Sequence, residues 1–368
     1  MRARASVTAL AVCGALLVLA AGRASAGVGD QWALQYLRAQ QCWAISRGSG
    51  VTVAVVDNGV RPVGDVAGQV VPGADFSFSA TSAGDGWSDT NGHGTAIATD
   101  IAGTGARSGV DGLAPGVRIL PIKVDVSSSY EIPDLGVAIR WAVDHGAQVV
   151  DVPLVTAGPS PGEASAMQYA SAHDVVVVAA AGNFGADDLE YPAADSGVIG
   201  VSAIQQNGTF SSASNHGTHV VLAAPGAHIL TDEVLGPPWT GYDDDTGDAS
   251  AYVSAAAALV RAQHPNWTAG QVIRDLLGTA DEPSGQTGRS DRYGYGIVDP
   301  LKALQAAAPT QTSNPLVVAV APATLAATAA SSAPAASSNA GLIIGTVVAA
   351  VVVLGAAVAL LTRRRRRA

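Results

Sequence analysis

The chain has 368 residues, 48% of them hydrophobic, with 30 acidic against 20 basic side chains and a formal net charge of −10. Arg363–Arg367 are included in that total, so the rest of the chain is more acidic still, and no basic patch outside this tail is offered to a nucleic acid. The length leaves room for one large domain of about 250–280 residues with segments at either end.

Residues 1–26 read as a secretory signal peptide. Arg2 and Arg4 precede the apolar stretch Ala9–Ala21, which is too short to span a bilayer comfortably, and Ala24-Ser25-Ala26 offers a small-residue cleavage site. Cys13 would leave with it, so Cys42 has no partner in the mature chain and is expected to be a small buried hydrophobe rather than a reactive thiol.

Residues 27–305 form the body. Val51–Val56, Ile119–Val124, Val149–Pro153, Val175–Ala180 and Val198–Ala203 are apolar runs bounded by Gly, Pro or polar residues, as expected of strands buried on both faces of a parallel sheet. Helical patterns lie at Thr95–Ala102, Tyr130–His145, Gly162–His173 and Asp248–Gln263, the last rich in alanine and suited to close packing. The alternation predicts an α/β, doubly wound, mostly parallel sheet with its site at the C-terminal ends of the strands.

Residues 306–340, rich in Ala, Ser, Thr and Pro and without aromatics, are expected to be a disordered tether. The uncharged segment 341–361 has the length of one membrane-spanning helix, and the arginines of residues 362–368 follow at once. Basic residues mark the cytoplasmic side, so the expected arrangement is a single-pass type I protein with its body outside the cell.

Three segments carry the chemistry. Val53-Ala54-Val55-Val56-Asp57-Asn58-Gly59 reads as a strand ending on an aspartate with a glycine for the turn, and Asn91-Gly92-His93-Gly94-Thr95 as a histidine at a helix start. Thr246-Gly247-Asp248-Ala249-Ser250-Ala251-Tyr252-Val253 opens the alanine-rich helix. Together they resemble the aspartate, histidine and serine motifs of subtilisin-like serine proteases. Further matches are Gly112-Leu113-Ala114-Pro115-Gly116, Tyr191-Pro192-Ala193, Leu222-Ala223-Ala224-Pro225-Gly226 and Gly294-Tyr295-Gly296-Ile297-Val298-Asp299-Pro300. With the signal peptide, tether and anchor, the layout resembles the mycosins, the membrane-anchored subtilases of type VII secretion.

The resemblance implies that Asp57 orients His93, that Asn183 in Ala180-Ala181-Gly182-Asn183 donates to an oxyanion, and that the nucleophile's position is Gly247. A triad without a hydroxyl forms no acyl-enzyme. The strand beside the substrate, which in the family reads Ser-Leu-Gly, is Pro153-Leu154-Val155; proline cannot donate to an added strand and valine adds bulk. Asp248, with Asp243, Asp244 and Asp245 upstream, places negative charge where an oxyanion would develop. A serine at position 247 is expected to fit the helix start with little strain.

Two functions follow. In the first, the chain is a pseudoprotease that binds a peptide or a component of a type VII secretion machine. In the second, it is an active serine endopeptidase that uses Asp57, His93 and a non-standard serine such as Ser250. Neither reading calls for a cofactor or a metal.

Overall fold

The computed structural model describes residues 31–77, 84–125, 132, 135–156, 158–232, 240–283 and 285–317. The signal peptide, the tether beyond residue 317, the apolar segment 341–361 and the arginine tail lie outside the described residues, among which no helix is long and apolar enough to cross a membrane.

Strand β1 (Thr52–Asp57) is buried along its whole length. Val53 and Val55 enter one core and Ala54 and Val56 another, which is why its sequence is an unbroken apolar run rather than an alternation. It is the third strand of a seven-stranded sheet in which β2 (Ala74–Asp75), β3 (Arg118–Lys123), β1, β4 (Val149–Val152), β5 (Val176–Ala180), β6 (Ile199–Ile204) and β7 (Val220–Pro225) lie side by side. Every neighbouring pair is parallel.

Two layers of helix cover this sheet. On one side lie α3 (His93–Ala102), α6 (Thr246–Gln263) and α7 (Ala269–Thr279), with Ile97, Tyr252, Val253 and Ile273 in the core. On the other lie α4 (Leu135–Asp144) and α5 (Pro161–Ala172), contributing Ile139 and Met167. The short helices α1 (Trp32–Tyr36), α2 (Ala39–Trp43) and α8 (Pro300–Gln305) join the first layer, and β8 (Ala227–Asp232) pairs antiparallel with β9 (Thr240–Asp244) in a separate ribbon.

The sheet order reverses around β1, whose successors β2 and β3 lie to one side and β4 to the other. Such a switch point opens a crevice at the strand C-termini, and both Asp57, the last residue of β1, and Pro153, the first after β4, fall there. Helix α6 starts at the same crevice and then runs through the core. Thr246 to Arg261 are all buried, and the alanines at 249, 251 and 255–258 let neighbouring backbones approach closely.

Cys42 is buried, its thiol pushed up to about 12 mainly by that burial, as a structural cysteine should be. One boundary differs from expectation. Residues 306–317 do not begin a free tether but lie along the body. The carbonyls of Pro309, Thr312 and Ser313 accept from Gln271, Thr268 and Arg274 at the start of α7, and Asn314 Nδ2 donates to Gly197 O at 2.9 Å.

Candidate active site

Asp57 is completely buried. Its Oδ1 accepts the Asn58 N–H at 2.6 Å and its Oδ2 lies 2.7 Å from His93 Nδ1, a pairing that fixes the orientation of the ring. Two glycines make the approach possible. A Cβ at Gly94 would lie 2.2 Å from Gly59 O and 3.0 Å from Asp57 Cβ, so only glycine lets α3 start against the end of β1. Gly59 has φ +103° and a Cβ there would lie 2.4 Å from Ser88 O. Asp89 secures the other side: its Oδ1 accepts from Gly92 N–H, and its Oδ2 from the N–H and hydroxyl of Thr95. No motif flagged Asp89; its signal is an acidic residue a few positions ahead of a helix start, where it satisfies free N–H groups.

The other ring nitrogen decides the chemistry. His93 Nε2 faces Asp245 Oδ2 at 3.3 Å. Asp245 is the N-cap of α6; its Oδ1 accepts Asp248 N–H at 2.8 Å, while Asp248 Oδ2 accepts Asp245 N–H at 3.3 Å, a reciprocal capping box. Burial opposes a charge on His93, but Asp57 and Asp245 outweigh it and raise its pKa well above the ordinary imidazole value. Asp245 is correspondingly lowered: its burial works against the shift, and the bond and charge of His93 prevail. The two carboxylates thus favour the charged form of the imidazole, whereas a general base must be neutral.

Gly247 sits in the first turn of α6, beside Pro153 and Ile97. A Cβ built on it would lie 2.7 Å from Asp245 Oδ1, 3.2 Å from Pro153 Cβ and 3.3 Å from Ile97 Cδ1. The expectation that a serine fits here with little strain is therefore corrected, because the Asp245 carboxylate fills the space its side chain would need. Ser250 is fully buried and donates to Gly247 O at 2.8 Å, back into its own helix. Asn183 is exposed, and its Oδ1 accepts from both the N–H and the hydroxyl of Thr246, leaving the amide NH₂ as the donating end. After β4, Pro153 is buried while Leu154 and Val155 are half-buried. The next residue, Thr156, is already bridged to Tyr191, its N–H donating to Tyr191 O at 2.7 Å.

The structure therefore brings Asp57, His93, Asn183, Gly247 and Pro153 to one crevice and turns Ser250 away into the helix. What the sequence did not disclose is the role of Asp245. Its acidity was visible, but not that a carboxylate one position before Thr246 reaches the histidine.

The family profile described as subtilase (Peptidase_S8) matches residues 48–296. The chain belongs to the subtilase family. This subtilase is 33% identical over 272 residues to Subtilisin Savinase from Lederbergia lenta, an alignment covering 70% of this chain and 96% of the relative. Among solved structures it is similar to MycP1 from Mycobacterium smegmatis, with 30% identity, a TM-score of 0.66 and coverage of 79% of this chain and 89% of that one. It is also similar to MycP3, a protease from the type VII (ESX-3) secretion system, with 29% identity, a TM-score of 0.63 and coverage of 74% and 87%. The subtilase fold with a mostly parallel sheet and the structural likeness to mycosins are thus established for this chain.

Proposed function

We propose that this subtilase is a pseudoprotease, retaining Asp57, His93 and Asn183 but lacking a nucleophile at Gly247, and that it acts by binding a polypeptide at its crevice. One observation carries the reading: the histidine nitrogen that should accept a hydroxyl proton is occupied by the Asp245 carboxylate. The helix start beside it carries a glycine whose missing side chain that carboxylate replaces. Ser250, the alternative nucleophile, spends its hydroxyl on a helix carbonyl. The likeness to mycosins supports a place beside a type VII secretion machine as scaffold or peptide-binding component. The segment 341–361 and the arginines that follow support anchorage in the cell membrane with the body outside.

A fluorophosphonate probe tests the silence directly. Incubated with the purified full chain, it is expected to label nothing. Covalent labelling of one serine, abolished by His93→Ala, would overturn the proposal in favour of an active endopeptidase. Anchorage is tested separately on intact cells: added protease should release the body while an epitope at the C-terminus stays protected, and the opposite pattern would reverse the orientation.

A further inference from the structure

A set of carboxylates collects immediately behind Asp245. Oxygens of Asp243 on β9 and of Asp245 and Asp248 at the start of α6 all lie within 4.8 Å of one another. Asp100, two turns along α3 from His93, brings its carboxyl within hydrogen-bond reach of Asp248. Asp100 and Asp248 are both fully buried. Neither oxygen of Asp100 and not Oδ1 of Asp248 has a hydrogen-bond donor among the described residues, and Tyr252 Oη beside them, buried on α6, makes no hydrogen bond either. Unless a proton is shared between them, bare carboxylate oxygens in this interior are costly, and a cation held among them would relieve that cost. Of the four aspartates His93 hydrogen-bonds only Asp245, although its charge also reaches Asp243, and no Lys or Arg is paired with any of the four in the described residues.

We propose that Asp243, Asp245, Asp248 and Asp100 form a binding site for one divalent cation of the hard, oxygen-preferring kind, Ca²⁺ foremost, seated beside the position the nucleophile would occupy. The chemistry of the donors selects the class: an all-carboxylate set suits Ca²⁺, Mg²⁺ or Mn²⁺ rather than a thiolate- or imidazole-seeking metal. The span of the Asp243, Asp245 and Asp248 oxygens agrees, since ligands on opposite sides of a Ca²⁺ with bonds of about 2.4 Å are about 4.8 Å apart. Asp243 and Asp245 are only half-buried, which leaves the ion a route from solvent. The ion would tie β9, α6 and α3 together and fix the Asp245 carboxylate in the place of a serine side chain. Neither sequence motif nor spacing announced it, because the four aspartates come from two separate stretches of the chain.

The site is independent of whether the protein cleaves peptides, and its test uses no substrate. The full chain, kept in mild detergent, is stripped with EDTA and titrated with Ca²⁺ at neutral pH by calorimetry, and with Mn²⁺ by electron paramagnetic resonance. Binding is expected with a dissociation constant on the order of 10⁻⁶ to 10⁻³ M, together with a rise in melting temperature. Asp248→Asn should remove one equivalent of bound ion. If Asp248→Asn fails to fold, Asp243→Asn, a change on a half-buried strand residue, serves instead and should weaken the same equivalent at least tenfold. Failure of the stripped chain to take up either ion at millimolar concentration would overturn the site in favour of protons shared among the carboxyls. Binding unchanged in both variants would overturn it in favour of a site elsewhere.

Discussion

Asp245 has both oxygens committed, Oδ1 to the cap of α6 and Oδ2 to His93, so it cannot step aside for a neighbour without loosening both. This sets the expectation for restoring the nucleophile. Gly247→Ser alone places a Cβ 2.7 Å from Asp245 Oδ1. Overpacking of this kind costs about 1–3 kcal/mol, so the variant should melt lower and still leave a fluorophosphonate probe unreacted. Adding Asp245→Gly clears the space and frees His93 Nε2. The double variant should then be labelled at position 247 in a His93-dependent way, while peptide hydrolysis stays near background. In working triads loss of the serine costs on the order of 10⁶ in turnover, so a large gain is available. It should appear only when Pro153→Ser and Val155→Gly are added. Rapid peptide cleavage by Gly247→Ser alone would show that Asp245 is a bystander.

Helix α6 depends on the same residue in another way. Its first turn is closed by the reciprocal bonds of Asp245 and Asp248, and because the helix is buried, its free N–H groups have no water to turn to. Asp245→Ala should cost about 1–2 kcal/mol by denaturant unfolding, whereas Asp245→Ser, which can still cap, should recover most of that; equal losses would mean that the cap contributes little. On α7, burial pushes the Asp275 carboxyl up to about 7, and its Oδ2 has no partner among the described residues. In the unfolded chain the same group ionises near pH 4. Between these values the folded state holds the extra proton, so the contribution of Asp275 to stability is full below pH 4, falls as pH rises toward 7, and levels off above it. Asp275→Asn should flatten part of that slope and raise the melting temperature above pH 7; an unchanged profile would assign the slope to Asp151 and Glu163, which burial also raises to about 7. The elements themselves were largely legible. Runs buried on both faces, such as Val149–Val152 and Val176–Ala180, are recognisable because every position is apolar. The ribbon β8–β9 was not read, since the histidine, threonines and aspartates in its strands break that pattern. Nor was α7, although Thr268 and Gln271 form a capping box that spacing alone offers.

At the scale of the whole molecule, the crevice exists because the sheet reverses around β1, and the sequence conveys this only indirectly, through the positions of Asp57 and Pro153 at strand ends. Composition served less well at the C-terminal boundary. Residues 306–317 are poor in large side chains and read as linker, yet they bind through backbone carbonyls, which any sequence carries. Their fit is close: a Cβ on Gly270 would lie 2.2 Å from Thr312 O. Leu316 packs against the main core, and Gly197 N–H donates to its carbonyl at 3.0 Å. A chain ending at Val317 should therefore melt with the full-length protein, whereas one ending at Ala306 loses this strap and leaves the start of α7 unpaired. Five hydrogen bonds at about 1 kcal/mol each, offset by the backbone freedom regained, leave a net loss of about 1–3 kcal/mol. For a domain of this size that corresponds to a fall of several degrees in melting temperature. Gly270→Ala, which presses a methyl group against Thr312 O, should reproduce much of that fall in the full-length chain and add nothing to the chain ending at Ala306. Equal melting of the two truncated chains would return residues 306–317 to the role of linker.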